Sequence, residues 1–185
     1  MTEPLSDDDH RRLLTAARQA IADALAGAPE AALAPDGVFA RHAGIFVSLH
    51  KRGNLRGCIG YTDADRPLGA TVGRCAVAAA TGDPRFDPVT ERELAELDIE
   101  ISVLSPLERV DDPATVVVGR DGLMIEQDRH CGLLLPQVAT EHGWTRETFL
   151  GQTCVKAGLP RDAWKRGAAL FRFQADVFGE RSGRA

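Results

Sequence analysis

The residues best suited to chemistry stand in one short run, Leu55-Arg56-Gly57-Cys58-Ile59-Gly60. In an extended strand alternate side chains share a face. Leu55 and Ile59 would then turn into a core, while Arg56 and Cys58 emerge side by side on the other face. Gly57 and Gly60 remove side chains, so another backbone or a ligand can come close. A guanidinium beside a thiol favours the thiolate, which is a nucleophile. A second run, residues 98–104, places Ile99, Ile101 and Val103 on one face and Glu100, Ser102 and Leu104 on the other. If both strands lie in one sheet, Arg56, Cys58 and Glu100 share a surface, although a one-residue slip would reverse this. Cys58 is then the nucleophile, Arg56 its activator or an anion clamp, and Glu100 a general acid/base. A carboxylate in so apolar a strand needs a partner, and Arg56 and Arg85 are the natural cations. The same pattern admits a plainer reading, with Cys58 as a small packing residue and Arg56 and Glu100 in structural ion pairs.

The elements that must position these residues are legible from periodicity and punctuation. Ser6 with Asp7, Asp8 and Asp9 starts a helix carrying Leu13, Leu14, Ala17, Ile21 and Leu25, which Gly27 and Pro29 end. Residues 44–51 and 55–61 read as a hairpin turned at Arg52-Gly53-Asn54. Asp65, with Pro67 just inside, opens a helix to about Ala80 that Gly82 closes, and its small residues suit packing on a sheet. The loop of residues 83–88 follows. Thr90 and Glu93 then form a capping box. Beyond Pro106, residues 116–118, 123–126 and 131–135 read as short strands. A helix begins at Pro136, another capped by Thr145 runs to Ala157, and residues 169–178 form a late strand expected to join the early sheet. The fold expected is α+β and two-lobed: a mainly antiparallel sheet flanked by helices, with a smaller α+β lobe inserted before the C-terminal strand. One domain would cover residues 5–180. Its large lobe would take about residues 5–112 and 165–180, and its small lobe about residues 115–162.

Composition narrows the function. A chain of 185 residues with 44% hydrophobic and 26% charged residues is an ordinary globular protein. At this size it buries roughly 70% of its unfolded surface and needs no disulfide or metal to hold a core. A net charge of −5 without a basic run argues against nucleic-acid binding. No stretch reaches the ~20 apolar residues of a membrane span, and the acidic first ten residues do not read as a secretory signal. Cys58, Cys75, Cys131 and Cys154 form no C-x-x-C pair, so four free thiols in a reducing cytoplasm are expected. No dinucleotide, Walker or nucleophile-elbow motif appears, and no cofactor is expected. His130 and Cys131 alternate to opposite faces and make poor joint metal ligands, so no metal site is expected. Gln137 and Glu141 lie one turn apart on the helix that Pro136 begins, whose N-terminus offers N–H groups to an anion. A solvated face is the plainer reading of that pair.

Leu55-Arg56-Gly57-Cys58-Ile59-Gly60 resembles the six-residue signature of the AMMECR-one domain family. The resemblance extends to Asp83-Pro84-Arg85-Phe86-Asp87-Pro88-Val89, to Ile99-Glu100-Ile101-Ser102-Val103-Leu104-Ser105-Pro106, and to the run of residues 132–139 with Gly143-Trp144. Residues 154–160 extend it further, so that it spans about residues 13–180 in the family's order. It implies a two-lobed α+β fold with the signature near the groove between the lobes. It further implies a kinship with AmmeMemoRadiSam system protein A, whose relatives occur with a Memo-like protein and a radical SAM protein as partners. It supplies no reaction. An enzyme or enzyme subunit and a non-catalytic accessory protein both remain open. Arg56, Cys58, Asp83, Arg85, Glu100 and Gln137 match the family pattern, whereas His50, His130 and Cys131 stand where other residues are expected. The resemblance thus adds Asp83, Arg85 and Gln137, with Gly57 and Gly60, as binding residues around the Cys58, Arg56 and Glu100 centre.

Overall fold

The computed structural model of the chain describes residues 4–29 and 31–181. The first three residues of the acidic amino-terminal segment read above lie outside them. The fold is α+β, as the alternation of periods implies, and it divides into two compact units, residues 1–104 with 176–185 and residues 105–175.

The first unit holds a four-stranded sheet in the order β2-β1-β3-β8. Its strands are β1 (Ile45–Lys51), β2 (Asn54–Tyr61), β3 (Leu97–Leu104) and β8 (Ala175–Gly179). Two helices, α1 (Asp7–Leu25) and α2 (Leu68–Thr81), pack on one face of it. Ser6 caps α1 and exchanges bonds with Asp9 in a capping box, so the helix starts where the sequence indicates. Leu13, Ala17 and Ile21 on α1, Val72, Cys75 and Ala76 on α2, Val47 and Leu49 on β1, and Ile99 and Ile101 on β3 are all fully buried in one core. His10 stacks on Phe178 and bonds Asp176, which ties the start of α1 to β8.

Helix α2 begins later than the sequence suggests. Pro67 occupies its N-cap, and Asp65 does not cap it. Pro67 is held extended by a β-bridge to His42, and the Leu68 N–H donates to the Arg41 carbonyl at 2.8 Å. The capping box of Thr90 and Glu93 is present, but it opens a 3-10 segment, Glu91–Glu96.

The second unit holds a sheet in the order β4-β7-β5-β6, formed by β4 (Glu108–Arg109), β5 (Gly122–Gln127), β6 (His130–Leu134) and β7 (Ala169–Phe173). Helices α3 (Pro136–Glu141) and α4 (Arg146–Lys156) accompany it, the latter capped by Thr145. Phe149, Leu150, Leu123 and Val116 are buried together, with Trp144 packed against them. Residues 116–118, expected as a strand, are not one. A 3-10 turn, Pro113–Thr115, leads into a tight bend in which buried Asp121 accepts the Val117 N–H at 2.8 Å. The expected single late strand is two strands in different sheets. At the break, Gln174 pairs with Ser105: the Gln174 N–H donates to Ser105 Oγ and the Ser105 N–H to the Gln174 carbonyl. β7 therefore belongs to the second sheet, and only β8 joins the first. No helix among the described residues is long and apolar enough to cross a membrane.

Candidate functional site around Cys58

The register of three strands builds the site. Ser48 on β1 lies directly opposite Cys58 on β2 and directly opposite Glu100 on β3. Val47 and Leu49 face the helices, so the pleat turns Cys58, Ser48 and Glu100 in a row onto the other face. The expectation that Cys58 and Glu100 share a surface follows from the alternation, and the register places them one strand apart from Ser48. Cys58 is partly exposed. The Ser48 hydroxyl donates to Cys58 Sγ at 3.2 Å.

Arg56 does not stand beside Cys58 as simple alternation requires. The β1–β2 register passes from Leu49↔Gly57 to His50↔Leu55, which leaves Arg56 as the extra residue of a bulge. Its guanidinium donates to both oxygens of Glu93 at 3.3 Å and to the Asp87 carbonyl at 2.7 Å. Lys51 donates to the same Glu93 at 2.9 Å. The Lys51 bond, the Thr90 N–H and the Arg56 bond together lower the Glu93 carboxyl to about 2.

The cation that sits against Cys58 is Arg85. Strand β2 is the edge of its sheet, and the Cys58 N–H and C=O point outward from it. Asp83 accepts that N–H at 2.9 Å, and Arg85 donates to that carbonyl at 3.2 Å. Arg85 and Asp83 also bond each other, at 2.6 and 2.9 Å. The pair satisfies the two backbone groups that a neighbouring strand would otherwise take. The Asp83 carboxyl is buried, and the Arg85 bond, with the N–H groups of Cys58 and Arg85, holds it far below the usual carboxylate range.

Glu100 was expected to pair with Arg56 or Arg85, but both cations are engaged elsewhere. Among the described residues its carboxylate, partly exposed, has no hydrogen-bond or ion-pair partner. Gly57 and Gly60 both permit close approach, and in each case what approaches is the protein itself. A Cβ on Gly57 would lie 2.0 Å from the Ala79 carbonyl of α2, and one on Gly60 2.4 Å from the Ile45 carbonyl and the Phe46 ring. Gln137 is the second residue of α3 in the other unit and has no side-chain hydrogen bond among the described residues.

Two residues of this face were not singled out as site residues by their types. Ser48 is one, and its signal is a small polar residue at an outward position of β1. His50 is the other. It follows Ser48 on the same face, and its Nε2 is buried without a hydrogen-bond partner among the described residues. The remaining cysteines differ in kind. Burial pushes the Cys75 thiol up to about 12 and raises that of Cys154, while Cys131 is exposed at the start of β6. Among the described residues no group of three or more His, Cys, Asp or Glu side chains is arranged to hold a metal ion.

Comparison with known proteins places this geometry in a family. The chain is 48% identical over 186 residues to a protein of Methanothermobacter thermautotrophicus, covering 96% of this chain and 97% of that one. It is 47% identical over 148 residues to a protein of Thermococcus onnurineus, covering 74% and 72% of the two chains. The crystal structure of an uncharacterized protein from Pyrococcus horikoshii has the same fold, with a TM-score of 0.88 and 37% identity over 95% of this chain and 93% of that one. A family model described as AMMECR1 matches residues 14–178. The chain belongs to the AMMECR1 family.

Proposed function

We propose that Cys58 is the nucleophile of a thiol-dependent site on the face of the first sheet opposite its helices, with Glu100 as its acid/base. The observation that carries this reading is the row Cys58, Ser48, Glu100, in which a partly exposed sulfur and a carboxylate unpaired among the described residues flank one buried hydroxyl. In the attack, the sulfur forms a bond to an electrophilic carbon of the substrate as that carbon's bond to a leaving group breaks, and the thiol proton passes through water to the Glu100 carboxylate, two strands away. Glu100 then returns a proton to the departing group. Arg85 supplies the fixed positive charge against Cys58, in the role the sequence suggests for Arg56. Arg56 braces the bulge through Glu93. Asp83 holds the Cys58 backbone so that the sulfur keeps its place.

The test is the rate of alkylation of native Cys58 by iodoacetamide at pH 7, followed by peptide mass mapping, with N-acetylcysteine as the reference thiol. A rate above the reference, lost in Cys58→Ser, supports the reading. A rate at or below it removes the nucleophile.

The internal use of Asp83, Arg85 and Arg56 favours a second reading, in which the signature strand is a structural element of an accessory protein. Such a protein would be component A of the AmmeMemoRadiSam system and dock a Memo-like protein or a radical SAM protein. Co-elution with either partner that survives Cys58→Ser, with partner activity intact, would favour this reading over the first.

A further inference from the structure

We infer that Ser48 is the positioning residue of the Cys58 site, its hydroxyl holding the sulfur and stabilising the negative charge it carries once the thiol proton has left; this rests on Cys58 being the reactive group. Ser48 is buried, 9% exposed, in the middle of a strand where a β-branched apolar residue would serve packing better. Its bond to Cys58 Sγ is the one side-chain hydrogen bond it makes among the described residues. The Cys58 N–H points away to Asp83, so Ser48 and Cys58 form the non-hydrogen-bonded type of cross-strand pair, in which side chains come closest. A thiol sulfur is a weak acceptor, so the bond does little for the resting fold. A sulfur carrying negative charge is a strong one, because charge-assisted hydrogen bonds are roughly twice as strong as neutral ones. An interaction that strengthens when the proton leaves raises the fraction of the sulfur present as nucleophilic thiolate, and so contributes to reactivity and not merely to stability. The same bond fixes the sulfur toward the middle of the three-strand row, with Glu100 on the far side of Ser48.

The experiment uses the full chain carrying Cys131→Ser, which removes the other exposed thiol, and measures iodoacetamide alkylation of Cys58 at pH 7 with thermal melts to report folding. Ser48→Ala should slow alkylation about threefold, because losing one hydrogen bond to the thiolate cuts its population about tenfold while the more basic sulfur recovers part of that in nucleophilicity. Ser48→Thr and Ser48→Val have the same shape and differ in the hydroxyl, so Thr should react about threefold faster than Val. This second comparison decides the matter if the alanine variant folds poorly. Equal rates for Thr and Val, or an alanine variant as fast as the parent, overturn the assignment of Ser48. A parent protein whose Cys58 reacts no faster than N-acetylcysteine overturns the Cys58 reading itself, before any change at Ser48.

Discussion

The Asp83 carboxylate accepts the outward N–H of Cys58 at 2.9 Å, and through this bond a loop after α2 fixes the edge strand that carries Cys58. Arg85 completes the clamp on the Cys58 carbonyl. Removing a buried charged partner leaves the other groups unmatched, which costs more than the bond itself contributes. Asp83→Ala should lower stability by about 2 kcal/mol. Asp83→Asn, which keeps an acceptor for the N–H, should cost less. Urea unfolding midpoints check this, and an alanine variant as stable as the parent would show that the edge needs no clamp.

Gly57 is required by α2. The contact of 2.0 Å that a Cβ would make with the Ala79 carbonyl is with backbone, which cannot rotate out of the way. Gly57→Ala should therefore push strand and helix apart and cost about 2–3 kcal/mol, in the range of core overpacking. The loss would appear as a lowered thermal midpoint. Gly53→Ala makes no such contact but sits at φ +83°, and should cost about 1 kcal/mol through the backbone alone.

Glu93 makes the stability depend on pH in a defined window. Its folded carboxyl lies at about 2, against an ordinary value of 4.5, because Lys51, Thr90 and Arg56 bond the charged form. A depressed carboxyl contributes stability that is complete above its unfolded value and lost as pH falls through its folded value. The window is therefore about pH 4.5 down to about 2. Glu93→Gln should be less stable than the parent near pH 7 by about 1–2 kcal/mol, allowing for partial exposure of the network. The difference should close as pH falls through the window. A constant difference between pH 7 and 2 would mean that Glu93 acts by shape and not by charge.

The cysteines should label in a fixed order. Cys58 and Cys131 should alkylate in the native protein. Cys75, whose thiol burial pushes up to about 12, and Cys154 should label only after denaturation. Mass mapping of native and urea-treated samples reads this directly. Native labelling of Cys75 would mean that α2 leaves the sheet.

Local chemistry made much of this molecule legible in its sequence. Ser6 and Asp9 fix the start of α1 because a cap needs only neighbours in the chain. The hairpin of β1 and β2 and the apolar faces of β1 and β3 follow from period-two alternation, which the pleat enforces residue by residue. The shared face of Cys58 and Glu100 comes from the same rule applied to two strands. What alternation missed lies where one residue was inserted or one strand was divided. The bulge at Arg56 turned that side chain from Cys58 to Glu93, and the break at Gln174 sent β7 and β8 to different sheets.

The sequence by itself determined which residues are polar and which face each strand buries, and it made a shared surface for a thiol and a carboxylate conditional on their two strands lying in one sheet. Only the tertiary structure decided which cation meets which anion. Arg85 took Asp83, Arg56 took Glu93, Glu100 was left without a partner among the described residues, and a serine was set between sulfur and carboxylate. The reason is physical: side-chain period is a property of a few consecutive residues, whereas charge pairing and strand register are settled by the packing of segments far apart in the chain.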